Sequence, residues 1–212
     1  MPLAHTVLIL APHTDDAELG CGGTVARLVE EGVAVWVAVF SSAEESLPPG
    51  VAPGALLDEF HRAMSALAVP ESRRRVFDYK VRRLSEHRQS VLDALIQLRT
   101  AIRPDMVLMP SGSDLHQDHQ VIHNEARRAF KEVTLWGYEL PWNHSTFSTQ
   151  AFVRLEQRHL DLKWRALENY VTQIRMGRSY FTRRFIDGLA CVRGAQIKTC
   201  YAEAFDVVRV SI

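Results

Sequence analysis

The order of elements along the chain predicts an α/β fold, a layered structure with a mostly parallel central sheet flanked by helices. Three observations carry this expectation. Apolar runs at Thr6 to Leu10, Val33 to Phe40 and Met106 to Met109 have the continuous β-branched and leucine character of strands buried on both faces. Segments with helical apolar spacing separate them, so strands are joined by crossovers rather than hairpins. Two polar clusters rich in His and Asp directly follow two of these runs, where open α/β sheets place their ligands.

Each element has its own signal. Thr6 to Leu10 is the first strand. Glu18 to Glu31 places Leu19, Val25, Leu28 and Val29 at helical spacing, and Gly32 stops it. Val33 to Phe40 is the second strand, which makes the first helix a right-handed crossover. Ser41 to Gly54, with three prolines and two glycines, is a loop leaving the carboxyl end of that strand. Two readings stand for it, a wall of the ligand pocket or a plain surface loop. Leu57 to Leu67 is a helix. A short strand is expected at Val76 to Tyr79, with Arg73, Arg74 and Arg75 as a solvated connector before it.

Ser85 to Ile102 is an amphipathic helix, its buried side formed by Val91, Leu92, Leu95, Ile96, Leu98 and Ile102, and Pro104 ends it. Met106 to Met109 is a strand, Gln120 to Lys131 a helix, Val133 to Leu140 a strand and Pro141 to Gln150 a loop. Leu155 to Thr172 and Ser179 to Cys191 are expected helices, and Tyr201 to Val210 a terminal strand. Neither a repeat nor a linker divides the chain, so residues 1–212 are expected to form one domain.

Composition excludes several classes. The 25 Lys plus Arg balance the 25 Asp plus Glu, so no basic field draws the chain to nucleic acid. Cys21, Cys191 and Cys200 are an odd set without metal-site spacing, which favours a reducing, cytoplasmic compartment. The N-terminus has no signal-peptide pattern, and the longest apolar run is too short to span a bilayer. Oligomeric state is not legible.

The chemistry lies in the two clusters. In the first, His13 and Asp16 are three residues apart with Asp15 between them. In the second, His116 and His119 are three apart with Asp118 between them. Taken singly, Asp15, Asp16 and Asp114 read as helix caps and the histidines as cap or surface residues. Together, at one edge of one sheet, they read as a metal site. Two histidines and a carboxylate are a common set for catalytic zinc, and His13, Asp16 and His119 are the candidate ligands. Iron(II), cobalt and manganese suit the same N and O donors. Gly20, Gly22 and Gly23 lack the pattern of a dinucleotide or phosphate loop and are expected to serve close packing of the first helix.

Pro12-His13-Thr14-Asp15-Asp16-Ala17-Glu18-Leu19-Gly20-Cys21-Gly22-Gly23-Thr24 resembles the first signature of the LmbE-like, or PIG-L, de-N-acetylases. Asp114-Leu115-His116-Gln117-Asp118-His119 resembles the second. Arg193-Gly194 and Tyr201 to Phe205 extend the likeness toward the carboxyl end. The resemblance implies a Rossmann-like fold, one zinc ion and hydrolysis of an N-acetyl group on an amino sugar or sugar conjugate. It implies His13, Asp16 and His119 as ligands, Asp15 as general base and His116 as the group facing the oxyanion. Two positions depart from the family pattern. Thr14 stands where proline is usual. Leu56, three residues before Glu59, stands where members acting on glucosaminyl-malate and glucosaminyl-inositol carry arginine.

In the expected reaction a zinc-held water attacks the acetamide, Asp15 takes and returns a proton, and a protonated His116 donates to the oxyanion. For Asp118 two readings stand, orienting the His116 ring or favouring the helix start by its charge. Candidate contacts to the small-molecule substrate are Glu44, Glu45, Trp142, Asn143, His144, Arg193 and Glu203. Two rival functions remain, a zinc amidase removing a longer acyl group and a sugar- or nucleotide-binding module without turnover.

Overall fold

A computed structural model describes residues 4–211. Seven strands, β1 (Thr6–Ala11), β2 (Ala34–Val39), β3 (Arg74–Val76), β4 (Met106–Pro110), β5 (Thr134–Tyr138), β6 (Ala151–Leu155) and β7 (Tyr201–Arg209), form one sheet in the order β3-β2-β1-β4-β5-β7-β6. The first five are parallel; β7 runs antiparallel to β5 and β6 antiparallel to β7. Seven helices accompany them: α1 (Asp16–Glu30), α2 (Ala55–Ala66), α3 (Arg88–Ile102), α4 (Gln117–Ala129), α5 (Gln157–Leu167), α6 (Val171–Arg175) and α7 (Arg183–Gln196).

Strand alternation divides the core into two layers. Val7, Ile9 and Ala11 of β1 face a cluster that includes Leu19, Val25, Phe60, Met64, Leu167 and Tyr170 from α1, α2 and α5–α6. Leu8 and Leu10 face Val91 and Leu95 of α3 and Ile122 and Ala126 of α4. Because the chain moves outward from β1 to β2 and β3, then returns to β4 on the other side, the strand order reverses between β1 and β4. Loops that follow adjacent parallel strands on the two sides of such a switch point diverge and leave a crevice. Both sequence clusters lie on these two loops.

Several boundaries differ from the sequence expectation. The third strand is Arg74–Val76, not Val76 to Tyr79, so two arginines read as a connector lie in the sheet. It is an edge strand, and Arg74 is held by Val69 and His61 carbonyls and the Ser65 hydroxyl. Helix α4 begins at Gln117, which puts His119 in its first turn. Strand β6 had no sequence signal, since five alternating residues are a short pattern. The helix expected from Leu155 to Thr172 starts after β6 and is broken at Glu168 to Tyr170. The next helix begins later than expected, at Arg183, where the Thr182 hydroxyl accepts the Phe185 amide at 3.2 Å.

The glycines of the first motif serve packing, as expected. A Cβ on Gly20 would overlap the Tyr138 ring, and one on Gly23 would lie 2.5 Å from Leu155. They also permit a break in α1. Cys21 has φ −145° and ψ 24°, outside the helical region, so α1 is two half-helices. Glu203 accepts the Gly23 and Thr24 amides at 3.0 and 2.6 Å, at the start of the second half. Lys163 donates to the Leu19 carbonyl at 2.8 Å, at the end of the first, and to Glu203 at 2.7 Å. Orphan groups at both sides of the break are thereby satisfied by one buried ion pair.

Candidate active site

The turn after β1 carries His13, Thr14 and Asp15 into α1, and the loop after β4 carries Ser111 to His116 into α4. Asp15 occupies the N-cap position of α1, yet its side chain caps nothing. Asp16 closes the turn instead, accepting the His13 amide at 2.8 Å. His116 caps α4 through Nδ1, which accepts the Asp118 amide at 3.2 Å.

The crevice brings His13, Asp16 and His119 together. Asp16 Oδ2 lies 3.1 Å from His13 Nδ1 and 3.3 Å from His119 Nε2, and the two nitrogens are 3.3 Å apart. Three ligands at ~2.0–2.1 Å from a tetrahedral centre stand ~3.3 Å from one another, so these three side chains fit a divalent ion without rearrangement. His116 stands next to them: one ring nitrogen each of His13, His116 and His119 lies within 4.8 Å of the other two.

Each histidine of the triangle is braced by a carboxylate. His119 Nδ1 donates to Asp114 Oδ2 at 2.7 Å, and His13 Nε2 donates to Asp118 Oδ2 at 3.0 Å. Such bonds fix the tautomer and ring orientation of a metal-binding imidazole. Asp114 is thus a brace rather than merely a cap. Asp118 lies in the first turn of α4, as the second reading expects, but it does not orient the His116 ring. Its carboxylate turns away from His116 and accepts His13 together with the Arg82 and Leu84 amides at 2.6 and 3.2 Å. Only its backbone amide meets His116. The first turn of α4 directs the side chain to the turn after β1 and the 82–84 segment, where three donors outweigh a single ring.

Electrostatics follow from this crowding. Burial presses His13 and His119 down, but Asp16 and the bracing carboxylates outweigh it and raise them to about 9 and about 10. Burial opposes the charge on Asp16, and His119 and His13 overcome it, leaving Asp16 far below the usual carboxylate range. The cluster therefore demands positive charge at its centre. Burial and the Asp16 charge push Asp15 up to about 6. Burial, then His119 and His13, lower His116 to about 4. The cap points the same way: Nδ1 accepts the Asp118 amide, which leaves the ring proton on Nε2.

These residues line a cavity of about 280 Å³, whose walls include Ala43 and Ser46, Leu56, Arg82, Trp142 and Asn143, and Gln173, Arg178 and Tyr180. The loop after β2 is therefore one wall of it. Among the expected substrate contacts, Trp142 and Asn143 reach the cavity. Trp142 is stacked on Tyr180, ring centroids 3.7 Å apart and planes 10° from parallel. His144 instead accepts the Leu140 amide on Nε2 and bonds Ser113 at 3.1 Å through Nδ1. Glu44 accepts the Gly54 amide, Arg193 pairs with Glu139 and Glu203 with Lys163. None of these four, nor the exposed Glu45, lines the cavity. Arg82, Gln173, Arg178 and Tyr180 carried no sequence signal, because Gln173 comes from the short helix α6 and the others from connecting segments, none with a motif. A larger cavity, about 590 Å³, opens beside the second half of α1 near Trp136 and Phe152 and holds none of the motif residues that carry chemistry.

A seven-stranded α/β sheet with His and Asp clusters on both sides of its switch point defines a class of Rossmann-like proteins. The sequence profile of the PIG-L family, described as GlcNAc-PI de-N-acetylase, matches residues 8–130, and the chain belongs to that family. The uncharacterized deacetylase YaiS of Escherichia coli (strain K12) is 23% identical over 171 residues, 77% of this chain and 89% of that protein. Among solved structures, the conserved protein TT1542 of Thermus thermophilus superposes with a TM-score of 0.81 at 24% identity, covering 97% of this chain and 95% of the other. The N,N'-diacetylchitobiose deacetylase of Pyrococcus horikoshii gives 0.77 at 19%, covering 97% and 84%. GalB, the 4-carboxy-2-hydroxymuconate hydratase of Pseudomonas putida, gives 0.77 at 18%, covering 98% and 99%. These likenesses show the fold. A hydratase among them means that the reaction has to be argued from the site. Among the described residues no helix is long and apolar enough to cross a membrane.

Proposed function

We propose that this chain is a metal-dependent hydrolase that removes the N-acetyl group from an amino sugar or sugar conjugate. The observation that carries this reading is the triangle of His13, Asp16 and His119 donors, 3.1–3.3 Å on a side, beside an Asp15 that does not cap its helix and a free His116 nitrogen. Family membership supports it, as do the deacetylases among the similar proteins. His13, Asp16 and His119 would hold the ion, zinc being the first choice for this donor set. A divalent ion there supplies a water of lowered pKa and polarises the amide carbonyl.

The remaining work falls to the protein. Asp15 is held next to Asp16 by the chain itself, and its carboxylate is not spent on capping α1. It takes a proton from the attacking water and returns it to the leaving nitrogen. His116 presents Nε2–H toward the carbonyl oxygen as charge develops there. As a neutral donor it needs no protonation event of its own. Asp114 and Asp118 do not line the cavity; they hold the His119 and His13 rings at the right tautomer.

The test is metal content together with acetate release from a panel of N-acetylated sugars, sugar conjugates and longer N-acyl amines. One divalent ion per chain and acetate from an N-acetyl sugar are expected. A metal-loaded protein that releases only longer acyl groups, or none, would overturn the reading.

A further inference from the structure

His144 does not line the cavity, yet both its ring nitrogens are engaged, and the bonds run in one direction. Its Nε2 accepts the Leu140 amide at 3.0 Å, which leaves the ring proton on Nδ1. Nδ1 lies 3.1 Å from Ser113 Oγ and donates to it. Ser113 Oγ is 3.0 Å from Ser111 Oγ, and Ser111 donates in turn to Asp206 Oδ2. A hydroxyl has one proton, and that of Ser111 is spent on the carboxylate, so Ser113 is the donor between the two serines. The Ser113 amide also donates to Ser111 Oγ, at 3.2 Å. Every donor from Leu140 to Asp206 thus has an acceptor, and the chain ends on a carboxylate. In such a chain each bond polarises the next.

The four residues come from three places on the sheet. Ser111 and Ser113 lie in the loop after β4, His144 follows the turn after β5, and Asp206 belongs to β7. Strand β5 separates β7 from β4, and Asp206 pairs with Gly137 of β5. A Cβ on Gly137 would overlap Asp206 Oδ1. Glycine at this position lets the carboxylate cross the middle strand and reach Ser111.

The residue enclosed by these bonds is Asp114. On one side Ser113 is tied to His144, and on the other Leu115 donates its amide to the Asn143 carbonyl at 2.9 Å. Asp114 is buried between them. Its Oδ1 accepts the His116 amide at 2.8 Å, and its Oδ2 accepts His119 Nδ1 at 2.7 Å. Asn143 Nδ2 adds a longer bond to Oδ2, at 3.3 Å. Both neighbours of Asp114 are therefore fixed to residues 143 and 144, and the direction of its carboxylate follows from that.

We propose that His144 is a positioning residue for the metal centre: the chain His144–Ser113–Ser111–Asp206 fixes Asp114 and, through it, the His119 ring. A ring already held in orientation loses less freedom when it takes up an ion. The chain thus raises metal affinity without touching the ion or the substrate. This inference rests on the metal-ligand half of the proposed function and needs no particular acyl substrate.

The experiment measures the zinc affinity of the full-length protein and its variants by competition with a chelator. Thermal melts of the zinc-free proteins show that each variant is folded at the temperature used. Ser113→Ala interrupts the chain with a small change and should weaken zinc binding ~10-fold, the lower end of what loss of a direct carboxylate brace costs. Two replacements of His144 separate the chain from the folding of its own turn. An asparagine amide reaches the place of Nδ1, and a glutamine amide that of Nε2. His144→Asn keeps the donor to Ser113, loses the acceptor for Leu140 and should bind zinc nearly as the parent does. His144→Gln keeps the acceptor for Leu140, loses the donor to Ser113 and should match Ser113→Ala. Combining Ser113→Ala with His144→Gln should weaken binding no further than either change alone, since both cut the same link. Tighter zinc binding in His144→Gln than in His144→Asn would show that His144 only holds the turn after β5, and would overturn the proposal. So would parent-like affinity in Ser113→Ala. A parent chain that takes up no zinc overturns the metal reading and this proposal together. A parent that binds zinc, with variants that bind it equally well, overturns this proposal alone.

Discussion

His13 Nε2 donates to a fully buried carboxylate oxygen of Asp118 at 3.0 Å, which joins the turn after β1 to the first turn of α4 across the switch point of the sheet. The same carboxylate accepts the Arg82 and Leu84 amides. Asp118→Asn keeps the shape but has one acceptor oxygen for three donors. We expect metal affinity to fall by ~10–100-fold, as when a carboxylate behind a ligand histidine is lost. Competition with a chelator measures it, and unchanged affinity would leave Asp118 as a loop brace only.

Asp15→Asn should bind the ion as tightly as the parent and lose ~10²–10⁴-fold in kcat, since asparagine cannot take a proton. Metal analysis beside steady-state kinetics separates this from a damaged site. Near-normal turnover across pH would withdraw Asp15 as the base.

His116 is predicted to show two separable effects. Its Nδ1 caps α4, worth ~0.5–2 kcal/mol, and its Nε2 is the proposed donor to the oxyanion. His116→Ala should therefore lower both the melting temperature and kcat, the latter by ~10²–10³-fold. His116→Asn supplies an N-cap oxygen without the reach of the ring. It should recover the melting temperature and leave kcat low. Recovery of both would reduce His116 to a cap.

The sequence carried β1, β2 and β4 well, since each lies inside the sheet and reads as an unbroken apolar run. It carried β3 and β6 poorly for the opposite reason: both lie at sheet edges, where one side is free and an arginine is tolerated. The triangle residues were visible because both clusters sit within a few residues of a strand end. The role of Asp118 was not, since it depends on where the 82–84 segment passes. Arg178 and Tyr180 come from the segment between α6 and α7, and nothing local marks them as facing a cavity formed by β1 and β4 loops.

His123 gives a pH dependence that is independent of the ion. It is buried on α4, with Nδ1 donating to the Pro110 carbonyl at 2.9 Å. Burial lowers its pKa below the ordinary value. With the folded-state pKa depressed, its stabilising contribution is complete above the unfolded value of ~6.5 and is lost as pH falls below it, because only the unfolded chain then takes the proton. His123→Asn can keep the bond to Pro110 and cannot titrate. Between about pH 7 and about pH 5 the melting temperature of the parent should fall more than that of the variant. Parallel curves would show that His123 does not titrate in this window.

The break in α1 supports the final prediction. The first half-helix holds Asp16 and Glu18, and its end is fixed by Lys163 on the Leu19 carbonyl. The second half starts with two amides on Glu203, and Lys163 and Glu203 are themselves paired at 2.7 Å. Both side chains are nearly inaccessible, 4% and 7% exposed. Replacing one partner strands the other as a buried charge, which costs ~3–5 kcal/mol. Lys163→Met leaves Glu203 with its two amides but without its counter-charge, and frees the Leu19 carbonyl. Glu203→Gln leaves Lys163 unpaired and turns an amide NH2 toward a backbone donor. Each should lower the unfolding midpoint strongly. The double variant should cost clearly less than the sum, because neither buried charge then remains unpaired. Denaturant titration of the four proteins gives the coupling. Metal affinity measured under native conditions shows whether the pair also holds the Asp16 half-helix in register. Additive losses would mean that the two residues act separately, and the break in α1 would then owe its form to the glycines alone.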